Sequence, residues 1–276
     1  MSITVKELSY SYNKGLPNEE EALSGLSFTA EAGAVTSVLG HTGSGKSTLA
    51  RHLNALMLPQ QGEISVDGMK IIKGAKLREI RKKVGHVFQY PESQIFAESV
   101  AEEIAFAPRN WGRSEAEIKE LIPVALSEVG LDPALAALSP YSLSGGQKRR
   151  LAIASVLAAQ PDYVVLDEPT AGLDAAASKE LLKLLLSLAQ AGRGIIYITH
   201  DIETALSISS KILVLERGHS VSFDSPEATA ELLCRKKITG LVMPELLQLS
   251  KKLLDAGRIS KLAWTPAAIL GLLKEK

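Results

Sequence analysis

The chain has 276 residues, 46% of them hydrophobic, which is enough for one large α/β domain with appendages or two small domains. Its 31 basic residues balance 31 acidic ones, so global charge gives no electrostatic case for nucleic-acid binding, and the one cysteine, Cys234, excludes an intramolecular disulfide and a cysteine-rich metal site. The start, Met1-Ser2-Ile3-Thr4-Val5-Lys6-Glu7, lacks the basic-then-apolar pattern of a signal peptide, and no apolar run reaches the roughly 18 residues of a membrane span, so a soluble, cytoplasmic protein is expected, with any membrane role supplied through a partner.

Residues 1–32 alternate weakly in hydrophobicity (Ile3, Val5, Leu8, then Leu26, Phe28) around a turn at Asn13-Lys14-Gly15-Leu16-Pro17, which predicts short strands. Tyr10 and Tyr12 fall there as strand aromatics, one of them free to stack on a base. A buried strand follows, Ala34–Leu39. It runs into Gly40-His41-Thr42-Gly43-Ser44-Gly45-Lys46-Ser47-Thr48, which fits G-x-x-x-x-G-K-[ST], and then a helix from Ser47 to about Leu56, ahead of Pro59. Strand, glycine loop and helix are the context this motif needs. The glycines let the backbone wrap phosphates, and successive N–H groups and the helix N-terminus face the anion. Lys46 would reach the β- and γ-phosphates, and the Ser47 hydroxyl would ligate Mg²⁺.

A strand pair turning at Asp67-Gly68 comes next, then a buried strand, Val84–Phe88, with Gln89 at its end. From Ser99 to about Leu138 the pattern is helical, includes the capping signature Ser114-Glu115-Ala116-Glu117, and reads as an all-helical insertion ended by Ser139-Pro140. Leu143-Ser144-Gly145-Gly146-Gln147 opens a helix that turns from basic to apolar. Tyr163–Leu166 is a buried strand ending in Asp167-Glu168, and a helix through 181–191 is closed by Gly192. Gly194–Thr199 is a further strand, ending in His200-Asp201, followed by an antiparallel pair at 212–215 and 221–223. Residues 226–276 lie outside this core. They carry an amphipathic helix (Leu246, Leu247, Leu249, Leu253, Leu254) and a second one after Trp264-Thr265-Pro266.

Strands alternating with helices imply a parallel sheet, whose ligands collect beyond the carboxyl ends of its strands. Gly40–Lys46, Gln89, Asp167, Glu168 and His200 all follow such ends, which argues for one site. Phosphoryl transfer to water needs charge neutralisation, an aligned nucleophile and a dry site. Asp167 would hold Mg²⁺ through water, Glu168 would polarise the attacking water, His200 would contact the γ-phosphate, and Gln89, next to the metal, would sense that phosphate. Ser144-Gly145-Gly146-Gln147 is a second anion-binding helix start. Because one P-loop already surrounds the triphosphate, this second element is read as serving a nucleotide held by another subunit.

The ordered set Gly40–Thr48, Gln89, Leu143–Gln147, Tyr163–Glu168, Ala171-Gly172-Leu173-Asp174 and His200 resembles the ATP-binding cassette (ABC) ATPases over residues 1 to about 225. The resemblance implies a parallel sheet flanked by helices with an antiparallel β subdomain, a helical subdomain at about 90–142, and a C-terminal helical extension, 226–276. It also implies a head-to-tail dimer with ATP at the interface, Tyr12 stacking on adenine, and Asp174 joining the two sites. Phe88-Gln89-Tyr90-Pro91-Glu92-Ser93-Gln94-Ile95-Phe96, Ala105–Asn110 and Gly40-His41-Thr42-Gly43 are similar, more narrowly, to the second ATPase subunit of energy-coupling factor (ECF) importers of vitamins or metal ions. That likeness implies a second ATPase subunit (a paralogue or a second copy), a transmembrane coupling protein whose arginines meet Glu92, a substrate-binding membrane subunit, a peripheral place on the cytoplasmic face of the cell membrane, and a tail that helps hold the ATPase pair through Leu246, Leu249 and Leu253. The remaining alternatives are the ATPase of another ABC importer and a non-transport cassette. Fewer than 100 residues separate the P-loop from Ser144, too few for the long coiled coil of repair-type cassettes.

Overall fold

Two long strands open the chain, β1 (Ser2–Tyr12) and β2 (Glu20–Glu31), paired antiparallel. They exceed the short strands expected because the pairing slips at three places between Val5 and Ser11, and Glu7 takes φ 48. Each slip resets the two-residue alternation that marks a strand in sequence. The wholly buried β3 (Val35–Leu39) leads through the glycine loop into α1 (Lys46–Leu53). That helix stops short of Leu56 because Asn54 closes it and Ala55 turns left-handed at φ 57, well before Pro59 acts. Next come β4 (Gln61–Val66) and β5 (Met69–Lys70), joined at Asp67-Gly68 with φ 47 and 80, the backbone of a tight hairpin.

A short basic helix, α2 (Leu77–Lys83), precedes β6 (Val84–Val87). The helical insertion holds α3 (Val100–Asn110) and α4 (Glu115–Glu128), the latter started by the Ser114/Glu117 capping box. Then follow α5 (Gly145–Leu157), β7 (Tyr163–Asp167), α6 (Ala175–Gln190), β8 (Gly194–Thr199), α7 (Ile202–Ile208), β9 (Lys211–Glu216) and β10 (His219–Asp224). The chain ends in α8 (Pro226–Arg235), α9 (Glu245–Asp255) and α10 (Pro266–Lys274). The computed structural model describes residues 1–274, and 275 and 276 of the expected extension lie outside the described residues.

The ten strands of the described residues form one sheet in the order β5-β4-β1-β2-β10-β9-β3-β8-β7-β6. The run β9-β3-β8-β7-β6 is parallel, whereas β5, β4, β1 and β2 are antiparallel. Side chains of β8 alternate between two cores. Ile195 and Tyr197 join Leu151, Ile153 and Leu185 on the helical face, while Ile196 and Ile198 join Leu49 and Leu53 of α1 on the other. Burial on both faces is why β7 and β8 carry apolar runs, Tyr163–Leu166 and Ile195–Ile198, and why the site can form only at the strand ends; β3 is as buried but takes Thr36 and Ser37 in its middle. A third cluster joins Leu39, Ile212 and Val214 to α7, Ala230 and Leu233 of α8, and Leu247 of α9. The first part of the tail therefore packs on the sheet itself. Leu246, Leu253 and Leu254 pack on Ile259, Ala263, Ile269 and Leu272, leaving Leu249 46% exposed.

Candidate active site

The glycine loop hangs between the tip of β3 and α1. Gly45 needs its residue type twice: φ is 99, and a Cβ there would stand 2.5 Å from the Ala22 carbonyl oxygen of β2. Lys46 is buried, and its Nζ donates to the carbonyls of Gly40 (2.6 Å) and His41 (2.9 Å), with Oε1 of Glu168 at 3.9 Å. Burial pushes the Lys46 ammonium below its ordinary range, while Glu168 and Asp167 pull it back up. The loop's own lysine thus bridges it to the end of β7.

β7 delivers Asp167, buried, and then Glu168, whose φ of 48 is left-handed for a non-glycine residue. The Glu168 N–H donates to Ile198 of β8 (3.0 Å), which fixes the turn. Its carboxylate accepts from Nδ1 of His200 (2.9 Å) and from the Thr199 hydroxyl (3.5 Å). Strained backbone persists where the surroundings over-determine it, here beside a carboxylate aimed by two neighbouring strand-end residues. Thr199 was not singled out from the sequence. Its only signal was its place directly before His200.

Ser47, Thr42 and Gly43 are exposed at the mouth of the loop, while Ser44 is fully buried with its hydroxyl unpartnered. Thr48 is buried at the start of α1, and its hydroxyl shares a 3.0 Å hydrogen bond with the Tyr12 hydroxyl, which brings that aromatic beside the loop. Tyr12 meets Tyr10 edge-to-face at 5.2 Å, and Tyr10 meets His52 of α1 at 4.8 Å. His41 donates from Nδ1 to the Thr42 carbonyl (2.6 Å), and Gly240 of the tail lies so close that a Cβ there would reach the His41 Cβ at 2.5 Å. Gln89 is exposed just beyond β6, the edge strand next to β7.

Ser144-Gly145-Gly146-Gln147 is placed elsewhere, at the start of α5, which packs on α3 and α4 of the helical insertion. Ser144 Oγ accepts from the Gln147 N–H (3.3 Å), and Gln147 Oε1 accepts from the Ser144 N–H (2.9 Å). A Cβ on Gly145 or Gly146 would meet nothing within 4 Å. Nothing inside the chain requires glycine at either position. Asp174 caps α6 by accepting from Ala177 (2.8 Å). Glu92 sits in a short turn, Pro91–Gln94, and takes a two-pronged contact from Arg149 of α5 through Nε (3.1 Å) and Nη2 (2.9 Å). Burial, the largest single influence, would raise the Glu92 carboxyl, but the Arg149 hydrogen bonds, its own backbone N–H and the Arg149 charge together hold the group below its ordinary range.

A phosphate-binding loop, an acidic pair ending the next-but-one strand, and a histidine between them on the parallel part of the sheet define a P-loop nucleoside triphosphatase. The family model described as "ABC transporter" matches residues 23–171. "Energy-coupling factor transporter ATP-binding protein EcfA2" of Streptococcus sanguinis is 40% identical over 260 residues, covering 93% of each chain. The protein of that name from Caldanaerobacter subterraneus is 41% identical over 259 residues, covering 93% of this chain and 91% of its own. Among solved structures, cbiO1 of Clostridium perfringens, described as part of the ABC transporter complex cbiONQ, superposes with TM-score 0.75 at 33% identity over 90% of this chain and 98% of its own. The cassette MJ0796, solved as a dimer in a post-hydrolysis state with ADP and Pi, gives 0.72 at 28% identity over 81% and 98%. The chain belongs to the ABC transporter ATPases, with energy-coupling factor ATP-binding proteins as its curated relatives, and it is an ATPase.

Proposed function

We propose that this chain is the ATP-hydrolysing subunit of an ECF-type importer of vitamins or metal ions, and that Glu168 is its catalytic carboxylate. The observation that carries the reading is the Glu168 carboxylate, held by His200 at 2.9 Å and facing the P-loop lysine at 3.9 Å. Lys46 and the loop N–H groups bind the β- and γ-phosphates, Tyr12 stacks on the base, Glu168 orients and deprotonates the attacking water, and His200 contacts the γ-phosphate. The Ser47 hydroxyl, the Asp167 carboxylate and the Gln89 amide oxygen form an all-oxygen donor set that suits Mg²⁺, which supplies charge neutralisation on the phosphates when bound.

The open face of Gly145 and Gly146 supports a head-to-tail pair in which α5 of one subunit seals the nucleotide of the other. The partner is a paralogue or a second copy, and the tail beyond residue 225 contributes to the pairing through Leu249. We assign residues 1–225 to the cassette domain, with 90–142 as its helical subdomain. No helix among the described residues is long and apolar enough to cross a membrane. In this reading, attachment to the cytoplasmic face runs through a membrane protein docking near Glu92, where Tyr90, Phe96 and Phe106 are exposed and the two phenylalanine rings meet edge-to-face at 4.9 Å. Purifying the chain from its native membranes and identifying what accompanies it tests this. A membrane-embedded coupling protein and ATP-dependent uptake are expected. Isolation as a soluble protein with full turnover and no membrane partner overturns it.

A further inference from the structure

Arg149 is 4% exposed, and four hydrogen bonds from its guanidinium reach two separate segments of the molecule. On one edge, Nε and Nη2 grip the two oxygens of Glu92, just beyond Gln89. On the other, Nη1 donates to the carbonyls of Pro169 (3.2 Å) and Ala171 (2.5 Å), in the loop between Glu168 and Asp174. Its own helix begins at the Ser144–Gln147 segment. Neutralising a buried cation needs only the carboxylate. The two carbonyls add a geometric constraint, because a planar guanidinium fixes the spacing between whatever its two edges hold. The loop it grips is the one that shapes the catalytic turn: the Ala171 N–H donates back to the Glu168 carbonyl at 3.1 Å, closing the turn in which Glu168 adopts φ 48. Holding Ala171 through its carbonyl pins that turn, while His200 and Thr199 hold the carboxylate.

We propose that Arg149 is a positioning residue for hydrolysis. It sets the loop from Glu168 to Asp174 against the segment after Gln89, so that the start of α5, the Glu92 surface and the catalytic carboxylate move as one unit. The inference rests on Glu168 being the catalytic carboxylate. It also gives Glu92 an internal role beside docking, since a cation arriving there would share the carboxylate with Arg149.

The test is steady-state ATPase of Arg149→Lys, Arg149→Met, Glu92→Gln and Arg149→Met/Glu92→Gln, each in the full chain purified with its native partners, with Glu168→Gln as reference. Lysine keeps the charge but cannot span both edges. We expect kcat to fall at least tenfold in both Arg149 single variants, while KM for ATP stays within twofold because the P-loop is untouched. The double variant, which removes both charges together, should lose no more than Arg149→Met alone, as members of one unit do. If Arg149→Met fails to fold, Arg149→Lys and the double variant carry the measurement, with melting temperature recorded for each. Folded Arg149 variants with kcat within twofold of wild type overturn the inference, as do losses that multiply in the double variant, or KM rising in step with falling kcat. If those variants keep turnover while Glu168→Gln abolishes it, only the positioning role fails. If Glu168→Gln keeps turnover, the catalytic assignment fails and the positioning role with it.

Discussion

Glu168 and His200, which follow the adjacent parallel strands β7 and β8, share a 2.9 Å hydrogen bond, with the Thr199 hydroxyl 3.5 Å from the second carboxylate oxygen. One residue is largely buried and the other mostly exposed, so the pair runs from the protein interior to its surface. Glu168→Gln keeps the shape and loses the base, and should lower phosphate release by about 10²–10⁴-fold while an ATP-bound assembly accumulates. His200→Ala should lower it too without trapping that assembly. Phosphate release and size-exclusion mass with ATP check both, and unchanged turnover in Glu168→Gln removes it from the mechanism.

Lys46 donates to two backbone carbonyls of its own loop, and it is the group we propose binds the β- and γ-phosphates. In Lys46→Ala the stabilisation that ATP gives the wild-type protein should vanish. At nucleotide concentrations near 100 times Kd that stabilisation is about 2.7 kcal/mol, read as an ATP-dependent rise in melting temperature. A rise equal to that of wild type would show that the lysine does not bind the nucleotide.

Gly146 separates fold from function because a Cβ there meets nothing within 4 Å in the chain and its φ is not left-handed. Gly146→Ala should leave the melting temperature unchanged or raise stability by roughly 0.4–1 kcal/mol through the unfolded state. ATP-driven pairing should nevertheless fall, since the methyl group intrudes where the partner's nucleotide would lie. Pairing at wild-type strength would place the start of α5 away from any phosphate.

The parts of this site carried by short-range grammar were legible before folding. A glycine loop between a strand and a helix, acids after an apolar run and a histidine after another all sit within one or two residues of the element that aims them. What the sequence hid was contact between distant segments. Arg149 reads as one more base in Lys148-Arg149-Arg150, and nothing marks it as the inward one that meets Glu92, 57 positions away. The closeness of Gly240 to His41 and the Tyr10–His52 ring contact depend on packing in the same way. The helices α7 and α8 were readable in principle, since Asp201 and Ser225 cap them by accepting from Glu203 and Ala228. With seven residues, α7 is too short to show a helical period.

Leu249 is the apolar residue of α9 that the tail leaves uncovered, at 46% exposure, whereas Leu247 is fully buried against the sheet. Removing residues 240–276 would therefore damage the third core cluster as well as any interface. Leu249→Glu is the cleaner probe. It should leave the melting temperature within a degree or two of wild type while shifting mass at low micromolar concentration from pair to single subunit. An intact pair would take Leu249 out of the interface.

His86 supplies a pH signature independent of the nucleotide. It is 8% exposed on β6, stacked 4.0 Å from Phe88, with neither ring nitrogen hydrogen-bonded. Burial first, and then the nearby positive charge of Arg51, push its pKa from 6.5 down to about 4; Glu103 lines the same small cleft from α3. The folded state therefore keeps this imidazole neutral where the unfolded chain protonates it. Between pH 6.5 and about 4 the unfolded state binds the extra proton, so stability falls as pH falls, by ~3 kcal/mol over the whole window and nothing further above 6.5. His86→Phe removes the group that titrates while keeping a ring against Phe88. Denaturant unfolding of wild type and variant at pH 7 and pH 4.5 should therefore diverge, with the variant losing less stability on acidification. Parallel losses in the two proteins would assign the acid sensitivity to other groups.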